Sequence, residues 1–255
     1  MMKLRDRVAL ITGAGSGIGE ATAWRMATEG AHIAVVGIPQ EGVERVAAAL
    51  NEAGHQALAI PTDVSQAEQV AAAVEQTVAH FGRLDILVAN AGIQLHDQDR
   101  DLHTLPEEVW DRTHAVNYRG VFLTLKYGLA QMVKQGEGGA VVIVSSVTAF
   151  SGRSPNVAYL SGKHGLIGLN RYVAVHYAKN GIRCNAVCPG ALERTPMHHI
   201  HPDPEGRRAR MVAQIPLGRL GKPEEIAPFI TFLCTDEASY ATGAAYLVDG
   251  GMTAA

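Results

Sequence analysis

Aromatic residues and cysteines are scarce in this chain of 255 residues. Phe, Trp and Tyr make up only 5% of it, so its core has to be built mainly from Ala, Val, Ile and Leu, which suits helices packed closely on a sheet. The three cysteines, Cys184, Cys188 and Cys234, are odd in number and match no zinc-site spacing. We therefore expect a reducing compartment, the cytoplasm.

The chain also lacks a long hydrophobic run and a strong charge of either sign. No run of roughly eighteen apolar residues occurs, and the apolar run Val8–Ile11 is too short for the core of a signal peptide. The formal net charge of -3 is too small to indicate nucleic acid or a membrane as partner. The densest basic cluster, Arg207, Arg208 and Arg210, is interpreted as a solvated helix face.

Short apolar runs alternate with longer helical patterns, which is typical of repeated β-α units and a parallel sheet. No linker rich in Pro, Gly or Ser divides the chain, so we predict one domain over residues 1–255. Its predicted fold class is α/β, a doubly wound Rossmann-type domain with about seven parallel strands and helices on both faces. The predicted strands are Val8–Thr12, His32–Gly37, Ala57–Pro61, Leu84–Ala89, Ala140–Ser145, Ile182–Val187 and Ala244–Val248. The predicted helices are Ile18–Glu29, Glu41–Ala53, Gln66–Phe81, Pro106–Lys134, Val157–Lys179 and Pro223–Thr235.

A glycine-rich segment, Thr12-Gly-Ala-Gly-Ser-Gly-Ile-Gly19, joins the first predicted strand to the first predicted helix. Glycines there allow a tight turn and let backbone N–H groups approach a pyrophosphate at the positive end of the helix. The common dinucleotide pattern G-x-G-x-x-G fails at Ile18, whereas Gly13, Gly17 and Gly19 fit G-x-x-x-G-x-G. No Lys followed by Ser or Thr closes the segment, so a P-loop nucleoside triphosphatase is excluded. Glycine-rich turns are common, and it is the placement of this one that favours a nucleotide.

Tyr159 and Lys163 are four positions apart in a predicted helix, so their side chains lie on one face. A phenol has a pKa of about 10 and is a poor base at neutral pH. A nearby ammonium group favours the phenolate, which would let the tyrosine exchange a proton with an alcohol. Most pairs at this spacing are merely surface neighbours, so the pair gains meaning only from its context.

Seven motifs occur together over essentially the whole chain. They are the glycine pattern, Asn90-Ala-Gly92, Asn117, Ser146 thirteen residues before Tyr159, Tyr159-Leu-Ser-Gly-Lys163, Cys188-Pro-Gly190 and Val248-Asp-Gly-Gly251. With these motifs in this order, the sequence resembles the short-chain dehydrogenases/reductases. The resemblance implies an NAD(P)-dependent oxidoreductase that interconverts an alcohol and a ketone or aldehyde.

The resemblance also implies roles for four catalytic residues. Ser146 would hydrogen-bond to the substrate oxygen and Tyr159 would transfer the proton. Lys163 would lower the pKa of Tyr159 and hold the ribose hydroxyls. Asn117 would anchor a water that links Lys163 to solvent, and the alternative for Asn117 is an amide that only stabilises a kink in its helix.

Cofactor contacts are implied along the same motifs. Asp63 and Val64 match the pair that contacts adenine, although Asp63 alone would be interpreted as a helix cap. Arg194 stands where relatives commonly carry a Thr that contacts the carboxamide, and Thr195 follows it, so which of the two contacts the cofactor stays open. The implied cofactor-binding residues are Gly13, Ser16, Gly17, Ile18, Gly19, Gly37, Ile38, Asp63, Val64, Asn90, Ala91, Gly92, Tyr159, Lys163, Pro189, Gly190, Leu192 and Thr195.

The choice between NAD and NADP depends on the end of the second predicted strand. NAD-preferring relatives carry an acidic residue where this chain has Gly37, so nothing here repels a 2′-phosphate. Ser16 and Ile38 stand where NADP-preferring relatives often carry Arg or Lys, so nothing attracts one. The nearest acid, Glu41, suits the first turn of its own helix. We favour NAD(H) over NADP(H), because a 2′-phosphate without a cationic partner would bind poorly.

The substrate is expected to be small and polar: a sugar, polyol, sugar acid or hydroxy acid. Arg153 points to an anionic substrate, and the alternative for it is a surface arginine. For Asn156 the alternative is a helix cap. The candidate substrate contacts are Gln94, His96, Ser146, Thr148, Arg153, Asn156 and Tyr159.

The segment Ala191–Pro216 interrupts the β-α alternation and is predicted to be a lid over the substrate cleft. It contains His198-His-Ile-His201, which could bind adventitious metal. No carboxylate or cysteine completes a spaced site there, so no metal is expected and the histidines are interpreted as polar groups of the lid.

Assembly and two alternative functions complete the expectations. Pro106–Lys134 and Val157–Lys179 are the helices that relatives pair between subunits, so a homotetramer, or at least a dimer, is implied. A 3-oxoacyl-thioester reductase is the main alternative enzyme, and the lack of Arg at Ser16 and Ile38 argues against it. A non-catalytic protein that senses nicotinamide cofactors would tolerate loss of Ser146, Tyr159 or Lys163, and all three are present.

Overall fold

Seven strands form one sheet in this computed structural model, which describes residues 2–193 and 204–254. The strands are β1 (Val8–Thr12), β2 (His32–Gly37), β3 (Ala57–Pro61), β4 (Ile86–Ala89), β5 (Gly139–Val144), β6 (Ile182–Pro189) and β7 (Ala245–Val248). Their order in the sheet is β3-β2-β1-β4-β5-β6-β7, and every neighbouring pair is parallel. The predicted doubly wound α/β fold is confirmed.

The helices flank this sheet. They are α1 (Gly17–Thr28), α2 (Gln40–Glu52), α3 (Ala67–Phe81), α4 (Glu107–His114), α5 (Gly120–Gln135), α6 (Val157–His176), α7 (Pro204–Val212) and α8 (Pro223–Cys234). The long helix predicted over Pro106–Lys134 is divided into α4, a π-helical segment at Ala115–Arg119, and α5. Helix α7 lies inside the segment Ala191–Pro216, which interrupts the β-α alternation of the sequence.

The core consists of two apolar layers, one on each face of the sheet. Successive residues of β1 show why, because Ala9 and Ile11 pack in one layer while Leu10 packs in the other. Among the described residues, the largest fully buried side chains are all Leu, Ile or Met. Small residues let the helices approach the sheet closely. At Gly128 of α5, for example, a Cβ would lie only 2.6 Å from Cδ2 of Leu87 in β4.

The strand order reverses between β1 and β4, since β2 and β3 lie on one side of β1 while β4 to β7 lie on the other. Parallel sheets open a crevice at the carboxyl ends of the strands at such a reversal, and ligands bind there. The glycine-rich segment follows β1 and Asn90 follows β4, so both lie at this crevice. Within the described ranges, no helix is long and apolar enough to span a bilayer.

Candidate active site

A cavity of about 480 Å³ occupies the crevice at the carboxyl ends of the strands. Nearly all of the cofactor and catalytic residues predicted from the sequence line it: Gly13, Ser16, Gly17, Ile18, Gly37, Ile38, Asp63, Val64, Asn90, Ala91, Gly92, Ser146, Tyr159, Lys163, Pro189, Gly190 and Leu192. Gly19 and Asn117 do not line the cavity. Gly19 lies against Gly13, and Asn117 bonds to the backbone of Ile93; Gly13 and Ile93 both line the cavity. Arg194, Thr195 and His198–His201 lie outside the described residues.

The turn from β1 to α1 forms one end of the cavity. Gly13 and Gly17 have φ values of 66° and 55°, in the left-handed region that favours glycine. A Cβ at Gly19 would lie 2.2 Å from the carbonyl oxygen of Gly13, so only glycine allows this helix start to close on the turn. The Ser16 side chain makes no capping hydrogen bond, which leaves first-turn N–H groups of α1 to an anion such as a pyrophosphate. This cradle fits a dinucleotide.

Asn90 ties the loop after β4 to the glycine-rich turn. Its Nδ2 donates to the carbonyl oxygens of Thr12 (2.9 Å) and Gly13 (3.3 Å). The backbone N–H groups of Asn90 and Ala91 donate to the Thr12 hydroxyl at 3.0 and 3.1 Å. These bonds hold the two loops together, and Thr12 is a member of this brace that the sequence analysis missed.

The other end of the cavity is formed by Gly37, Ile38 and Asp63. Asp63 accepts hydrogen bonds from the backbone N–H and hydroxyl of Ser65, at 2.9 and 2.7 Å. Burial raises the Asp63 pKa, but these hydrogen bonds and the charge of Arg112, 4.0 Å from its carboxylate, leave that pKa lowered overall. Asp63 therefore stays ionised, and it does not cap α3, which begins after Gln66.

Ser146, Tyr159 and Lys163 come together although they lie on different elements. Ser146 follows β5, and its Oγ accepts a hydrogen bond from the backbone N–H of Thr148 at 3.2 Å. Tyr159 and Lys163 lie one turn apart on α6, with the lysine Nζ 5.5 Å from the centre of the phenol ring. Lys163 donates to the carbonyl oxygen of Val144 at 2.9 Å. A hydroxyl, a phenol and an amine thus share one buried corner of the cavity.

Burial dominates the titration of this corner. It raises the pKa of Tyr159 to about 12, against the opposing effect of a hydrogen bond with Ser146, and it lowers the pKa of Lys163 to about 8. Lys163 is not among the groups that shift the Tyr159 pKa here, so its effect on the phenol in the complex with the cofactor stays a prediction. Both groups lose hydration here, and the amine is directed to the Val144 carbonyl. Tyr159 is therefore a protonated acid at neutral pH.

Asn117 lies in the π-helical segment between α4 and α5 and is fully buried. Its Oδ1 accepts from the backbone N–H of Ile93 at 2.7 Å, and its Nδ2 donates to the Ile93 carbonyl at 2.8 Å. A Cβ at Gly92 would lie 3.1 Å from Asn117 Oδ1 and 3.7 Å from Lys163 Nζ. The amide therefore holds the loop after β4 beside Lys163, and the side chain is occupied by backbone partners.

A second cavity, of about 880 Å³, adjoins the first through Gln94, Val147, Thr148, Met211 and Met252, which line both. The predicted substrate residues His96, Arg153 and Asn156 line the second cavity, as does Arg100. Thr148 Oγ1 is buried and has no hydrogen-bond partner among the described residues. Asn156 precedes α6 but its side chain makes no cap, since Oδ1 accepts from Gln94 Nε2 at 2.8 Å. The cap interpretation of Asn156 is therefore wrong.

Comparison with known proteins decides the family. The family model described as enoyl-(acyl carrier protein) reductase matches residues 13–253. The chain is 45% identical over 249 residues to cis-4-hydroxycyclohexanecarboxylate dehydrogenase of Sinomonas cyclohexanicum, covering 98% of this chain and 97% of that one. It is 39% identical over 251 residues to 3-oxoacyl-acyl-carrier-protein reductase of Thermotoga maritima, with 98% and 99% covered. The crystal structure of levodione reductase superposes with a TM-score of 0.93 at 39% identity, covering 99% of both chains.

The chain belongs to the short-chain dehydrogenase/reductase family. As a short-chain dehydrogenase/reductase it is an NAD(P)-dependent oxidoreductase that acts on CH–OH groups. The geometry agrees with that chemistry, because a phenol that carries its proton at neutral pH lies in the same cavity as a cradle for a dinucleotide. The reaction class predicted from the sequence is confirmed.

Besides Thr12, three features of this short-chain dehydrogenase/reductase were missed by sequence reasoning. Arg112 contacts Asp63 from α4, and Met252 reaches the cavities from the C-terminal turn that the Asp249 carboxylate holds through Thr253. Asp99, which is fully buried, holds the start of α6 from a distant loop. The contacts of Arg112 and Asp99 join positions far apart in the chain, and no local pattern signals them.

Proposed function

We propose that this protein interconverts the secondary alcohol of a small hydroxy carboxylic acid with the corresponding keto acid, using NAD(H). The second cavity carries this proposal. It is lined by Arg100 and Arg153, and by no Asp or Glu among the described residues. The Arg153 guanidinium makes no ion pair with a described residue, while Arg100 lies 3.5 Å from Asp97. A carboxylate in this cavity would meet positive charge while its carbinol lies toward Tyr159.

The mechanism that we propose uses side chains of this chain. Ser146 donates a hydrogen bond to the substrate oxygen, and Tyr159 transfers a proton to that oxygen during ketone reduction or accepts it during alcohol oxidation. Lys163 would hold the ribose hydroxyls, and Asn117 fixes the loop after β4 beside Lys163. A bound nicotinamide supplies the hydride acceptor or donor.

The preference for NAD is inferred from the cations near the first cavity. Gly37 and Ile38 line the end of the cavity that is expected to hold the adenosine, and Arg45 is the first basic residue after them in the sequence. The Glu20 carboxylate accepts hydrogen bonds from both terminal nitrogens of Arg45, at 2.7 and 2.8 Å. Arg45 Nη2 also donates to the Gly15 carbonyl at 3.0 Å. Arg112 is paired with Asp63. A 2′-phosphate would therefore compete with carboxylates for these guanidiniums, whereas the hydroxyl of NAD would not.

Three further expectations stand as proposals. We infer one domain over the whole chain, with residues 191–216 as a substrate lid, which the lining residues Met211 and Ile215 of the second cavity support. We infer a homotetramer, supported by exposed Phe122 on α5 and Tyr172 and Val175 on α6. The cytoplasm is the proposed compartment, in keeping with three unpaired, buried cysteines.

The alternative function is reduction of a 3-oxoacyl thioester. The relative from Thermotoga maritima favours it, and the size of the second cavity would admit an acyl chain. One comparison separates the two: cis-4-hydroxycyclohexanecarboxylate, the neutral cis-4-methylcyclohexanol and acetoacetyl-CoA, each assayed with both cofactors. Higher kcat/KM for the hydroxy acid with NAD is expected. Turnover confined to the thioester with NADPH would replace the proposal by the alternative.

Replacing Arg153 with Gln is expected to raise KM for cis-4-hydroxycyclohexanecarboxylate by about 5-fold or more while kcat stays near the wild-type value, because a charged contact in a solvent-accessible cavity is lost. The KM of cis-4-methylcyclohexanol should not change. Arg171→Gln, which removes an exposed arginine of α6 that lines neither cavity, is the matched control. An equal effect on both substrates would remove Arg153 from substrate recognition.

A further inference from the structure

Asp99 is a fully buried carboxylate in the loop between β4 and α4. Its Oδ1 accepts a hydrogen bond from the backbone N–H of Ala158 and its Oδ2 accepts one from that of Tyr159, both at 2.9 Å. These N–H groups belong to the first turn of α6, where helices leave donors unsatisfied. A negative charge at this end is also favoured by the helix dipole. The backbone of Tyr159 is therefore bonded directly to a residue 60 positions earlier.

Asn156 stands at the N-cap position of α6, but its side chain does not cap the helix. Asn156 has the extended backbone of a helix cap, but its Oδ1 accepts from Gln94 and its Nδ2 donates to the carbonyl oxygen of Asp99. Both groups of Asn156 thus bind the loop that contains Asp99. A local cap would satisfy the helix without burying a charge, which costs free energy unless it is fully paired.

The loop that Asp99 anchors is also a wall of the second cavity. Its side chains Gln94, His96 and Arg100 line that cavity. The loop is closed by hydrogen bonds from the backbone N–H groups of Gln98 and Asp99 to the Leu95 carbonyl, at 3.0 and 2.7 Å. One carboxylate therefore joins the wall of the substrate cavity to the backbone of the phenol-bearing residue.

We propose that Asp99 is a positioning residue that fixes Tyr159 relative to the loop 94–100. A substrate held by that loop then presents its oxygen to the Tyr159 hydroxyl. The proposal rests on the proposed function, because it requires Tyr159 to be the proton-transfer residue. Asp serves better than Asn here, since an amide offers one acceptor and would turn its own N–H groups toward the second backbone donor.

The test is Asp99→Asn, compared with Asp101→Asn, which changes an exposed carboxylate of the same loop. Active sites are counted by titration with NADH, and kcat per site is measured with NAD and cis-4-hydroxycyclohexanecarboxylate. We expect kcat per site to fall by about 10- to 100-fold in Asp99→Asn, because small misplacement of a reacting group costs this much. The Kd of NADH should stay within about 2-fold, and Asp101→Asn should match the wild type in both.

Asp99→Glu decides the matter if Asp99→Asn does not fold. It keeps the charge and both acceptors but displaces them by one methylene, so kcat per site should fall while the Kd of NADH is kept. A folded Asp99 variant with wild-type kcat per site overturns the proposal. Failure of both variants to fold also overturns it, since Asp99 would then be needed for folding alone. Tyr159→Phe, run in parallel, separates the two proposals: full activity in that variant defeats the proposed function itself.

Discussion

Tyr159→Phe is expected to lower kcat by about 10²- to 10⁴-fold, the usual contribution of a positioned acid or base. The change removes one oxygen from a buried residue and leaves the ring, so packing and cofactor binding should persist. The matched control is Tyr240→Phe, which removes a hydroxyl from a fully exposed tyrosine that lines neither cavity. Steady-state kinetics in both directions, with the Kd of NADH measured alongside, test this prediction.

The role of Tyr159 also predicts how the rate of each direction of the reaction depends on pH. Burial raises the pKa of Tyr159 to about 12, so the phenol carries its proton at neutral pH and below. Ketone reduction, which uses that proton, should therefore proceed at neutral pH, and alcohol oxidation, which needs the phenolate, should become faster as pH rises. The residual oxidation rate of Tyr159→Phe should lose this rise. A variant with the wild-type kcat and the wild-type pH profile would contradict the assignment.

Gly19→Ala is expected to weaken NAD binding by about 100-fold. The added Cβ would lie 2.2 Å from the Gly13 carbonyl oxygen and 2.7 Å from Asn90 Nδ2, so the turn and the brace must both move. Movement of the turn removes one or two charge-assisted hydrogen bonds to the pyrophosphate, each worth about 1.5–3 kcal/mol. Overpacking should also lower the free energy of unfolding by about 1–3 kcal/mol.

The control for this variant is Gly168→Ala, a helical glycine of α6 whose Cβ would meet no atom within 4 Å. Alanine in an open helical position stabilises by about 0.5–1 kcal/mol, so the two variants should change stability in opposite directions. Calorimetric titration with NAD and thermal unfolding measure both effects. If Gly19→Ala binds NAD as tightly as Gly168→Ala, the close contact at the turn does not shape the nucleotide site.

The fold was largely predictable from the sequence because its signals are local. Apolar runs such as His32–Gly37 are strands along their whole predicted length, since both faces of a parallel strand are buried. The π-helical segment at Ala115–Arg119 was not predicted, because the residues around it keep a continuous helical pattern. The helix widens at Asn117, whose side chain bonds to the backbone of Ile93 in the loop after β4.

The candidate site was predictable where residues follow strand ends and less so where they act at a distance. The glycine turn, Asn90, Ser146 and the Tyr159 helix all follow or lie near the carboxyl ends of strands. The effect of burial on the Tyr159 pKa was not predicted, because spacing reveals that two groups are neighbours but not how much water each has lost.

Direct transfer of hydrogen from substrate to nicotinamide is the central claim, and isotope labelling tests it most directly. Wild-type protein is incubated with NAD and cis-4-hydroxycyclohexanecarboxylate that carries deuterium on the carbinol carbon, and the reduced nicotinamide is analysed by mass spectrometry. We predict that the deuterium is found in the reduced nicotinamide and that turnover is slower than with the unlabelled acid. Absence of reduced nicotinamide, or reduced nicotinamide without deuterium, would contradict the account.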